Sequence, residues 1–163
     1  MNDKIFTAQR FSKTAAITAH GTIKNVFPLF GAFDEKKWAD GWNPVLVYPS
    51  SEQITEGLTF KTKGHVHGET ENTWVVTKYD TSIHLIQYFI IAPNRYLTIT
   101  VKCDRVHDSS TKAEITYSFT GLNGEGNEVS SHILNKMYEH NLTDWEEAIN
   151  YYLQTGKTLK GKD

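Results

Sequence analysis

The segment VSSHILNKMYEHNLTDWEEAINYYL, residues 129–153, contains neither glycine nor proline. Its apolar and aromatic residues recur at spacings of three and four, which places them on one face of a helix. These residues are Ile133, Leu134, Met137, Tyr138, Leu142, Trp145, Ile149, Tyr152 and Leu153. The pattern predicts one amphipathic helix of about 25 residues, about 37 Å long. Such a helix must bury its apolar face against another element.

The residues before this helix predict an antiparallel sheet. Residues 83–91, 97–104 and 113–120 alternate with a period of two, and in the last two runs one face is apolar and the other polar. One apolar face is typical of an antiparallel sheet that is covered on one side. Both faces of residues 83–91 are apolar, which predicts a central or doubly covered strand. With a strand at residues 11–19 and two short helices between residues 22 and 38, we expect an α+β helix-grip fold. In this fold a curved sheet wraps around the long C-terminal helix.

Composition and charge exclude several classes of protein. The 163 residues carry a net charge of −2, whereas a surface that binds duplex nucleic acid normally shows a basic excess. The single cysteine, Cys103, excludes an internal disulfide and a cysteine-based zinc site. No apolar run approaches the roughly 20 residues of a membrane span, and no signal-peptide segment is recognisable. We therefore expect one cytoplasmic domain, residues 1–156, with a flexible tail at 157–163, no nucleic-acid partner and no cofactor.

A strongly curved sheet does not contact a straight helix along its whole concave face, so side chains fill the space or line a cavity. The chain contains 8 Phe, 8 Tyr and 4 Trp, and the tyrosines favour a lined cavity because a buried hydroxyl needs a partner. Core packing is the alternative for each aromatic residue. The predicted ligand-binding residues are Trp42, Phe60, Trp74, His84, Tyr88, Tyr117, Phe119, Met137, Tyr138 and Trp145.

Several segments resemble one bacterial family. The most specific is WADGWNP at residues 38–44, which follows VFPLF at residues 26–30. Weaker matches lie at residues 73–80, 115–122 and 145–156. Together they resemble the START-like (SRPBCC) superfamily, and within it the bacterial polyketide cyclase/dehydrase-type subgroup. The resemblance implies a Bet v 1/START-like helix-grip fold with a ligand cavity between the sheet and the long helix, and it implies no particular reaction.

Two pairs of residues are candidates for chemistry. His84 and Tyr88 share strand parity, so they are candidate catalytic residues, with a structural histidine as the favoured alternative. His65 and His67 would face the same side of a strand and are candidate metal ligands, with Glu69 as a third. The glycines on both sides of this histidine pair favour irregular backbone instead.

The leading hypothesis is a protein that binds one small, mostly hydrophobic or aromatic molecule in the cavity. The alternative is a polyketide-type cyclase or dehydratase that uses the same cavity, with His84 or a tyrosine moving a proton. A second alternative is a protein-interaction domain similar to START-like chaperone activators, which would need an exposed apolar patch. The sequence leaves open the ligand, any catalysis, and whether the unit is a monomer or a homodimer.

Overall fold

Seven strands, three α-helices and two 3-10 turns make up a computed structural model that describes residues 5–64 and 70–161. The strands are β1 (Arg10–Ala19), β2 (Val45–Tyr48), β3 (Thr59–Lys63), β4 (Glu71–Asp80), β5 (Leu85–Ile91), β6 (Arg95–His107) and β7 (Ser110–Gly121). The helices are α1 (Ile23–Val26), α2 (Gly124–Met137) and α3 (Thr143–Thr155), and the 3-10 turns are Phe27–Phe30 and Asp34–Lys37. Within the described ranges, every helix is too short or too polar to cross a membrane.

The strands form one antiparallel sheet in the order β1-β7-β6-β5-β4-β3-β2. The predicted alternation is confirmed on β6, where Leu97, Ile99 and Val101 are buried on the inner face. β5 is the central strand, as its apolar residues indicated. Its outer face is not covered by a second layer, because Ile91 on that face is 54% exposed.

Short helical segments lie between residues 22 and 38, as predicted, and α1 contacts β6 and β7. Thr22 caps α1, since the backbone N–H of Asn25 donates to its hydroxyl oxygen at 3.3 Å. Pro28 lies in the first turn of the following 3-10 segment, where a missing N–H costs no helical hydrogen bond. The indole N–H of Trp38 donates to the carbonyl oxygen of Leu29 at 2.8 Å. This bond ties the two 3-10 turns to each other.

The prediction of one 25-residue C-terminal helix is wrong, because α2 and α3 are separate helices. Asn141 and Leu142 have φ angles of 53° and 58°, and two consecutive left-handed residues cannot continue a right-handed helix. Asparagine tolerates this conformation, and the change of direction turns Leu142 into the core, where it is 2% exposed. The helix breaks without glycine or proline. The prediction of one continuous helix was based on the absence of these two residues.

Both C-terminal helices are tied to the edge of the sheet by amide or carboxylate side chains. On α3, Glu146 accepts a hydrogen bond from the Thr18 backbone N–H at 2.8 Å, and the Asn150 amide donates to the Thr18 carbonyl at 3.0 Å. On α2, Asn127 accepts from the backbone N–H of Gln9 at 3.0 Å. The helices therefore satisfy backbone groups that an edge strand would otherwise leave open.

One glycine at the start of α2, Gly126, has a packing role. A Cβ atom on Gly126 would lie 1.7 Å from the carbonyl oxygen of Asn94, in the turn between β5 and β6. The side chain of Asn123 caps the helix by accepting from the Gly126 N–H at 2.8 Å. The helix can start this close to the sheet only because position 126 has no side chain.

We expect Asn150→Ala to lower the free energy of unfolding by about 1 kcal/mol, because two backbone hydrogen bonds to the sheet edge are lost. Asn150 accepts from the His20 N–H at 2.8 Å in addition to its bond to Thr18. Urea denaturation measures the change, with Asn135→Ala on the exposed face of α2 as the matched control. Equal stability changes in the two variants would contradict the edge-binding role of Asn150.

Candidate functional site

Four predicted contact residues form an aromatic group on the inner face of the sheet, here called the sheet-side cluster: Trp42, Phe60, Trp74 and Tyr88. Phe60 on β3 and Trp74 on β4 are cross-strand partners with ring centroids 5.2 Å apart. Trp74 also lies 5.8 Å from the Tyr88 ring and 5.4 Å from the Trp42 ring. The four rings pack against one another and fill this half of the interior.

Four further predicted residues form the helix-side cluster: Tyr117, Phe119, Tyr138 and Trp145. Tyr117 on β7 is its centre, with ring centroids 6.0 Å from Phe119, 6.0 Å from Tyr138 and 6.3 Å from Trp145. Trp38 adds a ring 5.5 Å from Trp145. The structure thus brings together eight of the ten predicted residues in two neighbouring groups.

The hydroxyl groups of the three inner tyrosines differ in their partners. Tyr88 donates to the carbonyl oxygen of Phe30 at 2.7 Å, and Tyr138 donates to that of Ile115 at 2.9 Å. These two bonds tie β5 to the first 3-10 turn and the end of α2 to β7. No hydrogen bond links the Tyr117 hydroxyl to any other residue of the described chain. Of the three hydroxyls, that of Tyr117 is the one available to a bound molecule.

Glu35 is an interior residue that the sequence analysis missed. It lies in the second 3-10 turn three residues before Trp38, and residues three apart share a face in 3-10 geometry. Trp38 is buried, so the shared face directs Glu35 inward as well. The spacing of three residues between Glu35 and Trp38 is the sequence feature that could have indicated Glu35. The charged run from Asp34 to Lys37 masked that signal.

The carboxyl of Glu35 has no compensating partner among the described residues. Glu35 is half-buried, and this burial raises the pKa of its carboxyl to about 8. Within residues 5–64 and 70–161, its side chain makes no hydrogen bond and no ion pair. A carboxyl whose pKa is raised in this way holds its proton near neutral pH.

The charge of Glu35 acts on two tyrosines of the inner face. Burial raises the pKa of Tyr88 and of Tyr117 well above the usual range, and for each the charge of Glu35 is the next cause. Tyr88 and Tyr117 both pair with Ile99, so they occupy one row of the inner face with a single strand between them. Glu35 thus lies within electrostatic reach of both ends of this row.

A surface groove of about 510 Å³ lies on the outer side of the tryptophans Trp38 and Trp145, which line it. The C-terminal segment crosses this groove: Thr158 donates to the Lys37 carbonyl at 2.8 Å, and the Gly161 N–H donates to Asp40 at 2.9 Å. These contacts involve residues that we expected to belong to a flexible tail. The two indoles separate the groove from Tyr117.

Comparison with known proteins bears on the fold. Neither a protein-family model nor a curated protein sequence matches the chain. A solved structure of norcoclaurine synthase from Thalictrum flavum, in complex with dopamine and hydroxybenzaldehyde, matches with a TM-score of 0.66 at 11% identity, covering 95% of this chain and 91% of that one. The chain has the Bet v 1-like helix-grip fold.

Two further solved structures share the helix-grip fold. An uncharacterized protein from Rhizobium leguminosarum matches with a TM-score of 0.62 at 15% identity, and the alignment covers 91% of this chain and 99% of that chain. Ara h 8.0201 matches with a TM-score of 0.62 at 14% identity and the same two coverages. These likenesses confirm the fold that the START-like resemblance implied.

Two predicted contact residues lie outside both clusters of the helix-grip fold. His84 precedes β5 and has a φ of 55°, so it does not share strand parity with Tyr88 as we expected. Its ring instead contacts that of Phe27 at 5.4 Å. Met137 ends α2 and lines a separate groove of about 670 Å³ together with His140.

The candidate metal ligands His65 and His67, with Glu69, lie outside the described residues. Among the residues that are described, no group of three or more histidine, cysteine, aspartate or glutamate side chains could hold a metal ion. Cys103 is buried, and burial raises the pKa of its thiol to about 12, which makes it a poor nucleophile.

We expect the stability of this helix-grip protein to fall as the pH rises from about 4.5 to about 8. The folded protein holds a proton on Glu35 across this range, whereas the unfolded chain has released it. The slope is at most about 1.4 kcal/mol per pH unit. Asp40 and Asp80, whose pKa values are lowered from 3.8, titrate below this window and do not contribute.

Urea denaturation at several pH values measures this slope, and Glu35→Gln is expected to flatten it. Glu128→Gln, an exposed glutamate on α2, is the matched control and should keep the wild-type slope. Identical pH dependence in the wild type and in Glu35→Gln would show that the carboxyl is hydrated rather than enclosed.

Proposed function

We propose that the protein binds one small, mostly apolar molecule between the inner face of the sheet and the C-terminal helices. The Tyr117 hydroxyl carries this proposal. This hydroxyl makes no hydrogen bond to the described residues, so it is available to a polar group of a bound molecule. The Glu35 carboxyl, also without a partner, supplies the second polar contact in the proposed site.

The proposed ligand-contact residues are those of the helix-side cluster, Tyr117, Phe119, Tyr138 and Trp145. Burial of ligand surface against these rings would supply about 25 cal/mol per Å². The sheet-side cluster forms the opposite wall, and its Tyr88 hydroxyl is already engaged with Phe30. We assign Tyr88 a structural role for this reason.

The similar structures support a small-molecule function. The matching norcoclaurine synthase structure holds dopamine and hydroxybenzaldehyde, which are small molecules built on one aromatic ring. A site rich in tryptophan and tyrosine suits ligands of this kind, because aromatic rings attract each other in stacked and edge-to-face arrangements.

Binding of para-hydroxybenzaldehyde, measured by calorimetry or by NMR shifts, tests the proposal. Tyr117→Phe is expected to weaken binding by about fivefold to tenfold, because one hydrogen bond of about 1 kcal/mol is lost. Tyr88→Phe, from the same row, should lower the stability by about 1 kcal/mol and leave the affinity unchanged. Equal affinities of Tyr117→Phe and the wild type would remove Tyr117 from the site. The absence of both saturable binding and any co-purifying molecule would contradict the function itself.

A second candidate function is catalysis of a proton transfer, such as a cyclisation or dehydration. The favouring observation is Glu35, because a carboxyl with a pKa of about 8 is suited to general acid–base chemistry near neutral pH. Glu35 takes the acid–base role that the sequence analysis gave to His84, because His84 lies outside both aromatic clusters. The test is turnover of small polyketide-like substrates: Glu35→Gln should abolish the rate, while binding stays saturable because the glutamine amide keeps a polar group at that position. Saturable binding without any turnover would contradict the catalytic function and support the binding function only.

A further inference from the structure

A groove on the outer side of Trp38 and Trp145 is formed by three segments of the chain. These are the residues after the second 3-10 turn, the first half of α3 and the C-terminal segment 157–161, and the groove has a volume of about 510 Å³. Its aromatic walls are the two indoles, whose ring centroids lie 5.5 Å apart. A volume of about 300–1,000 Å³ is typical of sites for small molecules. The acidic groups of the groove are the carboxylates of Asp40, Asp144 and Glu147.

A cation of the chain itself lies in this groove. The ammonium group of Lys160 is 3.5 Å from one carboxylate oxygen of Asp40, and the Gly161 N–H donates to the other oxygen at 2.9 Å. Leu159, beside Lys160 in the chain, also lines the groove. The C-terminal segment therefore shows the chemistry that the groove accepts, which is an alkylammonium group next to a carboxylate.

Lys160 leaves the other carboxylates of the groove without a cation. Asp144 and Glu147 are three residues apart on α3, so their side chains are neighbours on one helix face. Among the described residues neither forms an ion pair, and Lys136 and His140, which line the adjoining groove with them, lie beyond ion-pair distance. One ammonium group thus faces three carboxylates, and the groove keeps an excess of negative charge.

We propose that this groove binds an aliphatic polyamine, which takes the place of Lys160. One ammonium group of the ligand would pair with Asp40, and a second would pair with Asp144 and Glu147. The two indoles would cover the methylene chain between the charges, since the face of tryptophan packs against apolar carbon and attracts cations. A polyamine matches the groove better than one lysine does, because it carries several positive charges on one apolar chain.

The polyamine site is distinct from the proposed interior site. The indoles of Trp38 and Trp145 lie between the groove and Tyr117, and the three carboxylates of the groove belong to neither aromatic cluster. Occupancy of the groove therefore does not depend on a ligand in the interior.

The ion pair of Lys160 is weak enough to be exchanged. The side chain of Lys160 is 80% exposed and that of Asp40 is 40% exposed, and solvent screens such a pair. A ligand that also reaches Asp144 and Glu147 gains interactions that Lys160 does not make. The C-terminal segment is therefore a competitor of the ligand, and removal of its charge should strengthen binding.

Calorimetry at low ionic strength compares three probes with the same four-carbon chain: putrescine with two ammonium groups, butylamine with one and 1,4-butanediol with none. We expect putrescine to bind at least about tenfold more tightly than butylamine, because its second ammonium group has carboxylate partners of its own. Butanediol should show no saturable binding. Equal affinities of putrescine and butylamine would overturn the proposal.

The double variant Asp144→Asn/Glu147→Gln tests the position of the second ammonium group. Both residues are exposed, and we expect putrescine to weaken at least about tenfold, while the affinity of butylamine stays nearly unchanged. Glu125→Gln/Glu128→Gln is the matched control, because these exposed residues are also three apart, on α2. Equal losses in the two double variants would indicate attraction by the net charge alone and would overturn the site.

Lys160→Met tests the displacement of the C-terminal segment. It should strengthen putrescine binding by about twofold to fivefold, as the loss of a weak exposed ion pair would give, while Lys157→Met, outside the groove, changes it little. Unchanged or weaker binding by Lys160→Met would overturn the displacement. Para-hydroxybenzaldehyde should bind all these variants as it binds the wild type, so failure of the polyamine site is distinguishable from failure of the interior site.

Discussion

The apolar inner face of one seven-stranded sheet must be covered, and the position of every other element follows from this requirement. Helices α2 and α3 cover it beside β7 and β1, and α1 contacts β6 and β7. The first 3-10 turn lies beside β5, where the Tyr88 hydroxyl donates to the Phe30 carbonyl oxygen. Trp38 is buried after the second 3-10 turn, and its indole N–H donates to the Leu29 carbonyl oxygen, so the two turns are held to each other.

The strands were predictable because their side chains alternate with a period of two, and this alternation is set by burial on one face. The length of the C-terminal helix was not predictable in the same way. Helical spacing of apolar residues continues through the break, since Tyr138 and Leu142 are both buried. The two left-handed residues, Asn141 and Leu142, carry none of the usual breaker signals except the weak preference of asparagine for that conformation. A pattern of burial therefore identifies the buried face and not the course of the backbone.

For the aromatic candidates, the sequence predicted which face of the sheet the side chains occupy. It did not predict whether they pack the core or contact a ligand. Strand parity placed Tyr117 and Phe119 on the inner face, where the structure has them. Whether such a ring fills the core or lines a cavity depends on how its neighbours pack around it. The identity of the residue at one position does not reveal this packing. His84 shows a second limit, because the parity argument fails when a strand begins two residues later than expected. Glu35 shows a third, since a charged run is ordinarily exposed and only its spacing to Trp38 indicates otherwise.

The attachment of α3 to β1 has a consequence for association with other chains. Both backbone groups of Thr18 are occupied by side chains of Glu146 and Asn150, so a foreign strand cannot pair with that stretch unless α3 is first displaced. At the opposite border of the sheet, β2 presents Val45 and Val47, which are 60% and 54% exposed. Any lengthening of the sheet by intermolecular pairing, and any aggregation that begins in this way, is thereby directed to β2.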